Sequence, residues 1–251
     1  MRKWYLLILC YVCAFPSWGQ LQRKYDYGVM PTENITSLEI NPVLTVLDDR
    51  VGISSNQLII KSYHVLSSAW NWGVEVPLTR YESPEKSKNG LGDTTLAVSW
   101  MHPESLNGGL GYGTRMELFV PTATDKRLGS GQLQVSPSAF VLWSFPCGIY
   151  TALGYKHYWS VVGDHSRADI NLGRVRLNVS YLSDTKWWIQ SNLYYYQDFE
   201  NSGKMEVVPE LEIGTLITVG TAFYANVGTH AAGNIHSKDW SVSIGFRVLC
   251  L

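Results

Sequence analysis

Beyond its N-terminal leader the sequence lacks any run of about eighteen apolar residues, which excludes a transmembrane helix downstream. Charge is also scarce: 16% of the 251 residues are Asp, Glu, Lys or Arg, and the formal net charge is -1. A chain so nearly neutral carries no basic field for nucleic acid and no acidic tail that would stay unfolded. Helical spacing is almost missing after residue 36. Cysteine is rare, four in all, and two of these, Cys10 and Cys13, sit in the leader. No Cys and His recur at ligand spacing, so neither a zinc site nor any other metal or cofactor is expected. Asn107-Gly108-Gly109 reads as a turn, because no helix follows to complete a phosphate cradle.

What the chain does contain is rings: ten Trp, fifteen Tyr and seven Phe beside 22 Gly, at a mean hydropathy of only -0.05. Something amphipathic must carry them. The leader pairs Arg2 and Lys3 with the apolar stretch from Trp4 to Phe15, then Pro16, Ser17 and Gly19, the layout of a secretory signal cut before Gln20. Residues 1–19 are therefore expected to be a signal peptide, 20–35 a short periplasmic segment, and 36–251 one domain.

That domain alternates with period two. Trp240, Val242, Ile244, Phe246 and Val248 share one strand face while Ser241, Ser243, Gly245 and Arg247 share the other. Trp70, Trp72, Val74, Val76 and Leu78 repeat the rule, as do Leu133, Val135, Pro137, Ala139, Val141 and Trp143. A sandwich also alternates, but these strands are long and their rings gather near the ends, at Trp70, Trp72, Trp100, Trp143, Tyr158, Trp159, Trp187, Trp188 and Trp240, as interfacial girdles do. The pattern predicts an all-β, closed antiparallel transmembrane β-barrel of about 12 strands, at 36–47, 57–66, 69–81, 93–102, 110–121, 132–144, 148–160, 168–182, 186–198, 204–213, 217–229 and 239–250. An even number returns both termini to the periplasm of a bacterial outer membrane. Long polar connections at 48–56, 82–92, 122–131, 161–167, 199–203 and 230–238 alternate with tighter turns near 66–68, 145–147, 183–185 and 214–216, with 102–109 a long exception. The partners implied are outer-membrane lipids, the barrel-insertion machinery and an unidentified small-molecule permeant.

If the apolar face meets lipid, the other face lines a lumen. Its charged residues are Glu39, Glu75, Arg115, Glu117, Lys156, Arg174, Arg176, Asp198, Glu206, Glu210, Glu212 and Arg247, with Tyr150, Tyr194, Tyr196 and Tyr224 among them. Glu206, Glu210 and Glu212 lie two strands from Arg174 and Arg176, within reach of pairing. Two readings stand open: a mutually neutralising lining that keeps a narrow barrel closed, or a charged ring along a permeation path. No catalytic residue is expected. Asp164-His165-Ser166 has triad chemistry but crowds it onto one loop, and His165, His230 and His236 read as loop polarity. Cys147 and Cys250 fall six strands apart at one rim, too far for a disulfide, and are expected to be unpaired.

Two stretches resemble a known family. Gly90-Leu91-Gly92-Asp93-Thr94-Thr95-Leu96 is similar to a loop-to-strand entry of the MetA-pathway of phenol degradation family of outer-membrane proteins. Glu117-Leu118-Phe119-Val120-Pro121-Thr122 and Leu128-Gly129-Ser130-Gly131-Gln132 resemble its central strand, loop and strand. The resemblance implies a transporter for small hydrophobic or aromatic compounds and names no catalytic residue. Gly90, Gly92, Asp93, Gly129 and Gly131 are read as loop geometry, with left-handed backbone at Gly90 and Gly92 and a local Asp93 hydrogen bond, and as gate candidates. The leading expectation is a passive channel with a charged lumen. A plugged barrel of structural or adhesive role and an enzyme with a rim site are the alternatives.

Overall fold

The alternating segments form one sheet rolled on itself in the computed structural model, which describes residues 34–102, 109–145, 147–200 and 203–250. The expected leader and most of the segment before residue 36 lie outside the described residues. In chain order the strands are β1 (Thr36–Asp48), β2 (Ile53–Val65), β3 (Trp70–Glu82), β4 (Ser87–Leu91), β5 (Thr94–Met101), β6 (Gly109–Val120), β7 (Gln132–Ser144), β8 (Ile149–Gly163), β9 (Asn171–Leu182), β10 (Trp187–Asp198), β11 (Met205–Thr218), β12 (Thr221–Thr229), β13 (Ala232–Gly233) and β14 (Trp240–Cys250). Twelve of them close a ring, with β4 and β13 as short additions on β3 and β11. Every pairing is antiparallel, and β1 seals against β14 with Thr36 opposite Cys250, so the ring has no free edge.

The faces are inverted relative to a water-soluble sheet. Trp240, Val242, Ile244 and Phe246 are 36–47% exposed on the outside, while Ser241 and Ser243 on the inside are 6% and 9% exposed. Apolar side chains outside and hydroxyls inside fit a hydrocarbon surround. The thirteen residues of β3 give ~43 Å of strand, or about 33 Å of height at a tilt of ~40°, enough to cross a bilayer core.

Several boundaries differ from the sequence reading. The β1–β2 connection is only residues 49–52, because Ser54, Ser55 and Asn56 continue the ladder opposite Val46, Thr45 and Leu44. Ser55 has the lumenal parity of Lys61 and Tyr63, while Ser54 and Asn56 fall on the outer face near the long-loop end, where polar side chains meet the rim. Residues 214–216 belong to β11 and the turn lies at 219–220; Gly214 is there to admit the Trp188 ring, since a Cβ would stand 2.2 Å from its Cζ2. The expected 82–92 loop contains β4, which folds back on the end of β3. Two girdle assignments also fail: Trp188 is fully buried inside and Tyr158 lies under the lumenal cations of Lys156 and Arg174. Adjacent residues on a strand point to opposite faces, so only Trp187 and Trp159 of those pairs meet the surround.

Trp188 opposite Gly214 is one of four such cross-strand pairs, the others being Tyr63 with Gly73, Phe140 with Gly113 and Tyr224 with Gly245. Each ring lies flat over its glycine, where a Cβ would come within 2.7 Å or less of it. The glycines thereby let the rings sit close against the wall. At the short-turn end the interior is apolar: Leu142, Tyr150, Ala152, Leu182, Trp188, Leu216, Ala222, Tyr224 and Leu249 form one buried cluster, with Ile35 packed against it.

Candidate functional site in the lumen

Between that apolar cluster and the long-loop rim lies a cavity of about 420 Å³. It brings together Arg115, Glu117, Lys156, Arg174, Arg176 and Arg247 of the sequence-selected lining, along with Glu39. Lys61 and Tyr63 complete it. Both were legible in principle, since they alternate with the exposed Leu58 and Ile60 along β2.

Two carboxylate knots hold one side. Glu39 receives Arg247 Nε at 2.7 Å, Lys61 Nζ at 2.7 Å and the Tyr224 hydroxyl at 2.8 Å. The first two are its direct register partners on β14 and β2, so the knot is a single row of the sheet. In the second, Arg115 donates through Nε to Glu117 at 2.6 Å and through Nη2 to Tyr63 Oη at 2.9 Å and Glu75 Oε1 at 3.3 Å. Tyr63 also donates to Glu75, and Lys156 to Glu117. Three of these contacts, from Arg115 to Tyr63 and Glu75 and from Lys156 to Glu117, jump across whole strands. Arg115 reaches over β5, whose inward residues there are Thr95, Ala97 and Ser99, and Lys156 reaches over β7, where Ser136 and Ser138 stand between.

The remaining lining is arranged differently from the sequence expectation. Arg174 and Arg176 do not pair with Glu206, Glu210 or Glu212. Arg174 lies over the rings of Tyr158 at 5.8 Å and Tyr194 at 5.2 Å and meets Tyr196, while its Nε is buried without a hydrogen-bond partner. Arg176 donates from Nε to Asn192 Oδ1 at 2.8 Å and lies 5.8 Å over Tyr194. Glu206 and Glu210 turn instead to the 230–239 loop: His230 Nδ1 and the Ser237 amide approach Glu206 at 3.0 and 3.1 Å, and Lys238 donates to Glu210 at 2.9 Å. His230 and Lys238 are thus lumen-rim contacts, which loop polarity alone did not reveal. Glu212 accepts from the Trp188 indole at 2.9 Å.

The gate candidates do come together. Asp93 accepts from the amides of Ala123 and Ser130 at 3.3 and 2.6 Å and from the Ser130 hydroxyl at 2.8 Å, pinning the 121–131 loop to the β4–β5 corner. Arg167 adds a third loop, donating to the carbonyls of Gly129 and Lys126 at 2.5 Å each. Gly131 has positive φ (68°), but Gly90 and Gly92 do not, contrary to expectation. Their requirement is close approach: a Cβ would stand 1.9 Å from Thr124 Oγ1 at Gly90, 2.9 Å from Pro77 Cγ at Gly92, and 2.3 Å from Asp93 Oδ1 at Gly129.

Ser166 donates to Asp164 Oδ1 through both its amide, at 2.9 Å, and its hydroxyl, at 2.6 Å. Those bonds hold the Asp164 carboxyl below the usual range and make an Asx turn, in which the hydroxyl is tied directly to the acid with no base between them. Among the described residues no group of His, Cys, Asp and Glu is placed to hold a metal ion. Cys147 and Cys250 are both free and exposed.

No protein-family profile matches the sequence, and no curated protein matches it. Solved structures do. The COG4313 outer membrane channel from Pseudomonas putida F1 superposes with a TM-score of 0.73 at 15% identity, covering 90% of this chain and 98% of that one. The NanC porin gives 0.63 at 12% identity over 85% and 100%, and the β domain of the Bordetella autotransporter BrkA gives 0.55 at 14% identity over 86% and 99%. The chain therefore has the twelve-stranded outer-membrane barrel fold, and the fold matched with the highest of these three scores is that of the family which residues 90–143 resemble.

Proposed function

We propose that the protein is an outer-membrane channel through which small molecules pass passively. The observation that carries this is the charged cavity itself, walled by a closed ring whose outside is apolar and whose rings lie flat against the wall. A barrel built only as a plug has no need of glycines opposite Tyr63 and Phe140, the two of these rings that line the cavity. The channels and porins among barrels of the same shape support the reading. Export would use residues 1–19 as the signal, with the long-loop rim, including the Asp93 and Arg167 bracket, facing outward as the gate.

The apolar cluster at the short-turn end is the narrow point on this reading. Planar-bilayer conductance of the refolded chain from residue 20 is the test, beside Trp188→Ala, which removes the largest fully buried side chain of that cluster. Steady unitary steps that grow several-fold in the variant are expected. Silence from protein that shows barrel-like gel mobility would leave the plugged structural barrel, which the Glu39 and Glu117 knots favour because they bridge strands across the wall.

A further inference from the structure

We infer that the lumen holds a binding site for a small organic anion, a carboxylate on an apolar or aromatic body, centred on Arg174 and Arg176. The inference rests on the channel reading for its route of access, but the site has its own evidence. Six cations face the cavity, Lys61, Arg115, Lys156, Arg174, Arg176 and Arg247, against two carboxylates, Glu39 and Glu117. Glu75, bonded to Tyr63 and Arg115, raises the acids to three and still leaves an excess of positive charge. The excess is localised. Four of the cations sit in the carboxylate knots, whereas no carboxylate among the described residues lies within pairing distance of Arg174 or Arg176.

A guanidinium facing a cavity without a counter-charge is an anion site in waiting, and the unpartnered Nε of Arg174 supplies an unused donor. The surroundings select the rest of the ligand. Arg176 is opposite Gly154, which is opposite Phe140, so the row across β9, β8 and β7 runs cation, gap, ring. A Cβ at Gly154 would meet nothing nearer than 3.5 Å, which leaves the gap open. Met101 and Leu249 line the same cavity. A carboxylate at the arginines would place an apolar body over Gly154 and toward these side chains.

The experiment uses the refolded chain in planar bilayers under a KCl gradient, with benzoate, acetate and benzyl alcohol as probes. Anion selectivity is expected, falling at least threefold in the permeability ratio in R174Q/R176Q. Benzoate should reduce the current more than acetate and benzyl alcohol should not, with block weakened about tenfold by R174Q/R176Q and by Gly154→Leu, a change corresponding to ~1.4 kcal/mol. Cation selectivity, or selectivity that the double variant leaves unchanged, overturns the site, and equal block by acetate and benzoate overturns its apolar half. Should the folded barrel be silent, the channel reading fails by itself. Fluorine NMR with 4-fluorobenzoate then decides: binding lost in R174Q/R176Q upholds the site, and no binding to the parent retires it.

Discussion

Two walls of the lumen use the same kinds of residue and reach opposite results. On β3, β5, β6, β7 and β8, long charged side chains alternate with strands whose inward positions are Thr95, Ala97, Ser99, Ser136 and Ser138. Arg115 and Lys156 pass over those small residues and find carboxylates one strand further on. On β9, β10 and β11 the intervening strand presents Asn192, Tyr194 and Tyr196 instead. Arg174 and Arg176 stop at the rings and the amide, and Glu206 and Glu210 turn to the loop. Charge placement is similar on both walls; the size of the residue between decides whether the charges cancel.

The strongest way to break the neutralised wall is to remove a carboxylate that serves several partners. Glu39→Gln leaves Arg247 and Lys61 facing each other across one row, and should lower stability by about 3 kcal/mol, the range seen when one member of a buried pair is lost. Urea titration of the refolded barrel would read it, and a loss below about 1 kcal/mol would mean that water in the lumen already screens the knot.

A smaller effect comes from closing the gap that lets the charges meet. Ser136→Tyr puts a ring where a fully buried serine now donates to the His157 carbonyl at 2.6 Å. Overpacking and separation of Lys156 from Glu117 should together cost about 2 kcal/mol. The converse substitution, Tyr194→Ser, forfeits about 1 kcal/mol of cation–π contact while letting Arg176 approach Glu210. Its expected signature is reduced anion selectivity with little change in stability; unchanged selectivity would show that ring size is not what keeps these charges apart.

This contrast also explains what the sequence disclosed and what it withheld. Period two put Arg174, Arg176, Glu206 and Glu210 on the inner face correctly, because strand geometry alone fixes which face a residue takes. It could not pair them. Partners two strands apart depend on register and on the volume of the residue between, and Tyr194 stands opposite Arg176 on one side and Val208 on the other. Trp188 and Tyr158 fail as girdle residues for another reason: their chemistry suits a girdle, but each shares the parity of lumenal residues on its own strand, Tyr194 and Lys156. Ser54, Ser55 and Asn56 look like loop and are strand: Ser55 faces a lumen that accepts polarity a packed core would refuse, and Ser54 and Asn56 lie on the outer face at the rim end of the ladder. The Asp93 bracket was recognisable as a motif, yet the cause of its glycines was not: contact with Thr124, Pro77 and Asp93 is a tertiary fact, invisible to local conformational preference.

The smallest expected effect concerns the loop that draws Glu206 and Glu210 away from the arginines. Asp239 accepts from the Asp49 amide and from His236 Nε2, each at 2.5 Å, so it ties the 230–239 loop to the β1–β2 turn. The Asp49 amide first, then His236, holds its carboxyl below the usual Asp range. A depressed acid contributes its tie fully above the ordinary Asp range, and the tie is lost as pH falls through the lowered value. The protection of the Asp49 amide against hydrogen exchange, relative to an unprotected amide at the same pH, should therefore be high near neutrality and fall only in strong acid, with Asp239→Asn low at both. If the loop in Asp239→Asn then releases Lys238 from Glu210, anion selectivity should decline near neutrality, because a freed Glu210 carboxylate adds negative charge near Arg176. A loop that loosens while selectivity holds would separate the two walls for good, leaving Tyr194 alone as the reason the arginines stay unneutralised.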